Sequence, residues 1–455
     1  MNNKNIVRVG VIFFVIFMLF AGNVLAQDKD IEWVTPSRIG NPEAKTTITF
    51  WIERNTGMQA QVEEVREKVI DRMESWARKN PDVKIIIEAS IPILQVNEYM
   101  VKLYEAAKAG NAPDMACVDS FWLPMFIKKD SQLKQVPQAL DQFLTEKELN
   151  NYFDAYREFC TDDKGRLRAH PYYTDLRPLW YRKDLVDTPP ETWDELIEIS
   201  KKVMKEHPEV KAGFLITAGR YENTSFNFWG PYWSLGGKLV DEEGKPVFNE
   251  GENREKMLTI FRLLKRLVDE GVMPTQVVTL ASTVDLNAAI VSSNAIFALC
   301  GSWHHASLGQ LMGKEEFSKK WAMSNPPVFK KGDPIKNGAG GWTIDIFTDD
   351  PIKKQLAFSF LWYVYGDFKG MADINTMSLP TVKDISSDYL PFQRNEYLSA
   401  AAQQLKYAML RPGVEIYPNI SQAIQIAFSE VISGSKTPEK ALDGAWSTVM
   451  GEYNK

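Results

Sequence analysis

Thr46-Thr47-Ile48-Thr49-Phe50-Trp51-Ile52, Val83-Lys84-Ile85-Ile86-Ile87 and Met115-Ala116-Cys117-Val118 are three short runs dense in β-branched, aromatic and other apolar side chains. Each has the length and composition of a strand. Between the first and second, Met58, Val62, Val65, Val69, Met73 and Trp76 recur at steps of three and four, the period of one helix face. Between the second and third, Val96 to Ala109 predicts another helix, closed by Gly110 at a position suited to a left-handed cap. The second run is almost wholly apolar, as a strand covered on both faces would be. A β-α-β-α-β order of this kind predicts a mostly parallel sheet with right-handed crossovers.

Ligands of such sheets bind beyond the carboxyl ends of the strands. That rule selects Trp51, Glu53 and Arg54 after the first strand, and Asp119, Ser120, Phe121 and Trp122 after the third. A cap on the next helix is the simpler role for Asp119. Further along, Thr192-Trp193-Asp194-Glu195 has capping-box spacing and predicts a helix to about Lys205. Met257, Ile260, Phe261, Leu264, Leu267 and Val268 predict a helix ending at Gly271, and Asp350-Pro351 opens another. Ala295 to Cys300 predicts a buried strand that runs into Gly301-Ser302-Trp303. The chain shows no internal repeat, and 455 residues exceed one compact core, so two domains are expected.

Lys4 and Arg8, the apolar run Val9 to Ala21 and the small-residue end at Ala26 predict a cleaved signal peptide over 1–26. Gln27 follows the cut, so no cysteine is offered for a lipid anchor, and a periplasmic location is expected. Residues 27–45 predict a polar, loosely ordered leader. Removing 1–26 takes away Lys4 and Arg8 and no acid, leaving 51 basic against 59 acidic side chains, a net charge of −8. An acidic chain without a basic block argues against nucleic acid. Cys117, Cys160 and Cys300 leave both buried thiols and a disulfide open, and the apolar runs around Cys117 and Cys300 favour thiols.

Four histidines, no paired cysteines at zinc spacing and no glycine-rich phosphate loop point to no metal and no cofactor. Carboxylates are plentiful, so a glycosidase using a pair such as Glu53 and Asp119 is the alternative class. The positive signal is aromatic: 13 tryptophans and 16 tyrosines, several beside glycine or at strand ends. Tyr172-Tyr173, Trp229, Tyr232-Trp233, Trp303 and Trp342 are placed to cover the apolar face of a sugar while polar groups take its hydroxyls. Trp76, Trp193, Trp362 and Trp446 read as core. Arg54 and Arg177 suggest a grip on an acidic group, against the simpler pairing of each with Glu53 or Asp175.

Asn111-Ala112-Pro113-Asp114, Val118-Asp119 and Trp122-Leu123, in that order, resemble a stretch shared by family 1 extracellular solute-binding proteins. Gly165 to Asp175, Trp180 to Leu185, Pro189 to Leu196, Gly236-Gly237, Gly301-Ser302-Trp303 and Gly340-Gly341-Trp342 continue the likeness over nearly the whole chain. The resemblance implies a maltose-binding-protein-like α/β fold of two lobes with the ligand in the cleft, and a non-enzymatic carbohydrate receptor for the permease subunits of an ATP-driven importer, working as a monomer. It implies lobes at 46–171 with 340–378, and at 172–339 with 379–455. It also implies ligand contacts at Glu53, Asp119, Tyr173, Asp175, Trp229, Trp303, Gly340 and Gly341. Trp51, Trp122 and Trp342 join them from the strand-end rule, and Trp233 from the set of aromatics at strand ends or beside glycine. Arg177 and His304-His305 depart from that family's pattern.

Overall fold

The computed structural model describes residues 38–52, 63–89, 96–127, 133–374 and 378–455. The signal-peptide reading over 1–26 lies outside them, as do Glu53, Arg54, Met58 and Val62. Two sheets organise the chain. The larger takes the order β1-β3-β2-β4-β11-β5, where β1 is Arg38–Ile39, β2 Thr46–Ile52, β3 Val83–Ala89, β4 Met115–Asp119, β5 His170–Tyr173 and β11 Trp342–Ile346. The smaller takes the order β7-β8-β6-β9, with β6 Leu179–Arg182, β7 Phe214–Leu215, β8 Phe297–Leu299 and β9 Trp321–Ser324. A short parallel pair, β10 (Asn337–Ala339) with β12 (Ala408–Leu410), completes the strands.

The three runs that open the chain form the parallel centre β3-β2-β4, with Ile48, Phe50, Ile85 and Val118 fully buried. Helices Glu63–Lys79 and Val96–Ala109 provide the crossovers. Gly110 stops the second at φ +83°, a left-handed cap. Helix Trp193–Glu206 begins with the expected capping box of Thr192 and Glu195.

Two expectations need amending. Within residues 27–45, Arg38–Ile39 forms a strand antiparallel to β3, and Ile39 is fully buried. The open edge of β3 carries unpaired backbone groups and exposed isoleucine, and β1 satisfies both. Second, each mostly parallel sheet carries a strand reversed between its neighbours. Strands β2, β3, β4 and β5 share one direction, but β11 lies between β4 and β5 and is antiparallel to both. In the smaller sheet β6 is likewise antiparallel to β8 and β9. The cause is the route of the chain. Strands β6 and β11 both enter from the carboxyl ends of their neighbours, whereas a strand reached through a crossover helix enters from the far end.

The three cysteines are buried and free. Among the described residues no helix is long and apolar enough to cross a membrane, and no group of three histidine, cysteine or acidic side chains could hold a metal ion.

Candidate ligand-binding cleft

The chain passes between the sheets at adjacent points. Thr174 and Leu379 exchange backbone hydrogen bonds of 2.8 and 3.0 Å, Gly340 N–H donates to Asp175 O at 3.2 Å, and Ser302 N–H donates to Leu176 O at 2.9 Å. Ser120 N–H, just past β4, donates to Gly341 O at 3.0 Å. Gly341 has φ +122°, and a Cβ there would lie 2.3 Å from the Tyr173 carbonyl oxygen, so only glycine fits this crossing. A Cβ on Gly340 would lie 2.9 Å from Asp175 Oδ1 and 3.3 Å from Arg411 Nη2. The bare backbone lets these charged groups converge.

Two arginines dominate the convergence. Arg177 Nη1 donates to Asp175 Oδ1 at 2.5 Å and Nη2 to Asn223 Oδ1 at 3.2 Å, while its backbone N–H donates to Asn337 Oδ1 at 2.8 Å. Arg411 Nη2 donates to Asp119 Oδ1 at 2.7 Å and Nη1 to Glu222 Oε1 at 3.1 Å. Tyr417 and Ser421 hydroxyls donate to the two oxygens of Glu222 at 2.7 and 2.6 Å. The Phe226 ring sits between the guanidiniums, 3.9 Å from Arg177 and 4.1 Å from Arg411. Trp303 covers Arg177 at 4.7 Å, and Phe121 covers Arg411 at 4.4 Å. Burial pushes the Asp119 carboxyl up to about 6 despite the pull of Arg411. For Arg411, burial favours the neutral form, but Asp119 and Glu222 outweigh it and hold its pKa above the ordinary value. A cavity of about 10 Å³ at the crossing is lined by Ser120, Tyr173, Gly340, Gly341 and Trp342 among others. That is room for about one water.

Charged side chains from distant parts of the chain thus converge beside the glycine crossings between the two sheets. The family of bacterial extracellular solute-binding proteins matches residues 55–367. The chain belongs to that family. A probable ABC transporter-binding protein of Deinococcus radiodurans is 22% identical over 399 residues, covering 83% of this chain and 89% of that one. The maltodextrin-binding protein of Bacillus subtilis is 22% identical over 404 residues, covering 85% and 88%. Among solved structures, maltose-bound MalE3 of T. maritima aligns with a TM-score of 0.72 at 23% identity, over 89% of this chain and 99% of that one. The fold is thus the two-lobed, maltose-binding-protein-like one.

Within this solute-binding protein, Asp119, Asp175, Arg177, Trp303, Gly340 and Gly341 come together at the crossings, with Tyr173 and Trp342 beside them. Trp303 is half-buried and lies on the backbone of Gly301, where a Cβ would meet its ring at 2.1 Å. The other predicted indoles lie elsewhere. Trp51 Nε1 donates to Glu88 Oε2 at 2.7 Å and its ring faces the Lys102 ammonium. Trp122 is buried between Tyr104 and Phe121. Trp229 is fully buried and donates to the Tyr417 hydroxyl at 2.8 Å, so it stands one contact behind the cleft, and Trp233 is buried further along the same helix, Glu222–Ser234. His304 and His305 are buried, at 2.6 Å from Asn287 Oδ1 and 3.0 Å from Ser302 O. Burial drives the pKa of His304 down to about 3, so it is neutral at physiological pH.

Sequence reasoning missed Arg411, Glu222, Asn223, Phe226 and Tyr417. One sign was legible: Glu222 and Asn223 open a helix that is otherwise aromatic or small over most of its length. For Arg411, the turn residues Pro412-Gly413 mark only the end of a strand.

Proposed function

We propose that this solute-binding protein is the non-enzymatic, extracytoplasmic carbohydrate receptor of an ATP-driven importer, closing two lobes over an oligosaccharide. The proposed lobes are at about 46–171 with 340–378, and 172–339 with 379–455, with the larger sheet reaching out from the first to Arg38 and Tyr173. The observation that carries the reading is the cleft, where half-buried Trp303 offers aromatic surface and Asp119, Asp175 and the two arginines converge as oriented polar groups. Family membership and relatives named for maltodextrin support it. Export through residues 1–26, action as a monomer and delivery to permease subunits belong to the same proposal.

The test is a thermal-shift and calorimetric screen of maltose, maltotriose, longer maltodextrins, polyols and uronic acids. Neutral oligosaccharides should raise the melting temperature, and long incubation should release no new reducing ends. Absence of any carbohydrate-dependent shift would end the reading. New reducing ends would restore the glycosidase alternative, in which Asp119 and Glu53 would act as the carboxylate pair.

A further inference from the structure

We infer that the groove along helix Pro351–Leu361 is a second binding site, which takes the pyranose ring of a neutral sugar. It lies on the helix layer over the larger sheet, where that helix packs on β2 and β11, and shares no lining residue with the cavity at the crossing. Its volume is about 420 Å³, within the roughly 300–1,000 Å³ of small-molecule sites. Three rings share one orientation in it. Phe143 and Phe358 are stacked with centroids 4.7 Å and planes 21° apart, and Phe358 and Trp362 follow at 5.8 Å and 14°. Phe358 is buried, but Phe143 and Trp362 are only half-buried, so the row stays open at both ends. Trp362, expected in the core, is held in place at the surface. Its ring lies on Gly366, where a Cβ would meet it at 2.3 Å, and the His170 ring meets it edge-on at 5.9 Å. It opens a single π-helical turn, Trp362–Gly366, a local widening that recurs at functional sites.

The polar groups beside these rings are few, neutral and available. Gln355 and Ser359 stand one helical turn apart, and both are exposed. Among the described residues the Gln355 amide and the Trp362 Nε1–H have no hydrogen-bond partner. Ser359 Oγ accepts from Trp76 Nε1 at 3.1 Å, which leaves its own proton to donate. Asp367 is the one charged lining residue among the described ones, and it is already matched. Its oxygens accept from Arg72 Nη2 at 2.6 and 2.7 Å, and Oδ1 accepts from Gly370 N–H at 2.7 Å. A charged ligand would find no counter-charge in this lining. A purely apolar one would strip water from Gln355 and Ser359 and replace none of its hydrogen bonds. A neutral pyranose meets both conditions, because its C–H face covers an aromatic ring while its hydroxyl edge bonds the amide, the indole N–H and the serine hydroxyl.

This second site goes beyond the carbohydrate reading of the cleft and does not rest on it. The test is fluorine magnetic resonance on the protein labelled with fluorotryptophan, titrated separately with maltotriose and cellotriose. Trp362→Phe and Trp303→Phe identify the two signals of interest. At least one of the sugars should move the Trp362 signal saturably, with a midpoint different from that of Trp303. Gln355→Ala, an exposed change that should leave the melting temperature unaltered, should raise the Trp362 midpoint roughly fivefold and leave the Trp303 midpoint where it was. A Trp362 signal that neither sugar moves overturns the second site. So does one that follows Trp303 at the same midpoint and ignores Gln355→Ala, which would make it a relay of events in the cleft. Movement of Trp362 without Trp303 keeps the second site and counts against carbohydrate in the cleft, whereas movement of Trp303 alone keeps the cleft reading and ends the second site.

Discussion

Apart from the edge strand β1, the strand of the larger sheet that reverses direction is β11, which enters from Gly340 and Gly341; in the smaller sheet it is β6, which enters just after Asp175 and Arg177. The two occupy the same place in the plan, between strands that run the other way, and differ in chemistry. Strand β11 is buried along its length and carries Asp345, whose Oδ1 accepts from Thr343 Oγ1 at 2.7 Å while Oδ2 has no partner among the described residues. Strand β6 ends in Arg182, whose charge is matched by Asp184 at 2.7 Å and which also donates to Asn294 Oδ1 at 2.6 Å. A chain that crosses between lobes must place its crossing residues in the cleft. What those residues are decides whether the crossing contributes bare backbone or charge.

The largest expected effect probes the unmatched carboxyl of β11. Burial pushes the pKa of Asp345 up to about 8, with Thr343 and Arg168 opposing. The native state then holds a proton that the unfolded chain has released, so this group's stabilising contribution is complete below about pH 4 and is lost as pH rises towards 8. Asp345→Asn keeps the shape and cannot ionise. Urea unfolding from pH 5 to 9 should show the variant gaining on the parent with rising pH, by at most about 1.4 kcal/mol per pH unit. A gap that stays constant with pH would show that Asp345 is not held protonated.

The next effect concerns the bare crossing. Gly341→Val combines a φ of +122° with a Cβ 2.3 Å from the Tyr173 carbonyl, and should cost roughly 3 kcal/mol or more of stability. Gly165, with φ +77° and nothing near its missing Cβ, is the control, and Gly165→Ala should cost about 1 kcal/mol. Equal losses at the two sites would mean that the crossing is not tight.

How far these features were legible follows from what sets them. β2, β3 and β4 could be read because a buried parallel strand announces itself in adjacent residues, as Ile85-Ile86-Ile87 does. The reversal of β6 and β11 could not, because it depends on where the chain comes from and not on composition. Trp303 and Trp229 both sit near glycine, yet one lies half-buried at a crossing and the other is fully buried on a helix. The cross-cleft arginine was invisible for a plainer reason: Arg411 is 292 residues from Asp119 and 189 from Glu222, a separation no local pattern encodes.

The smaller effects test that contrast between two indoles. Trp303→Ala should weaken oligosaccharide binding by about 2 kcal/mol, near thirtyfold, with little change in the melting temperature without ligand. Normal affinity in the variant would remove Trp303 from the contact set.

Trp229 should behave in the opposite way, and by a smaller amount. Its indole is fully buried and donates to the Tyr417 hydroxyl at 2.8 Å, and Tyr417 donates onward to Glu222 at 2.7 Å. Trp229→Phe removes the donor but leaves most of the ring volume. Tyr417 keeps its own proton for Glu222 and loses only a bond that it accepted. The expected loss is about 1 kcal/mol of stability, the usual net worth of one buried hydrogen bond, with binding nearly unchanged because Arg411 and Glu222 stay in place. Chemical unfolding and calorimetry on the same preparation separate the two outcomes. A variant that unfolds like the parent but binds tenfold more weakly would put Trp229 in contact with the ligand, and would require the helix Glu222–Ser234 to turn that indole into the cleft when the lobes close on a sugar.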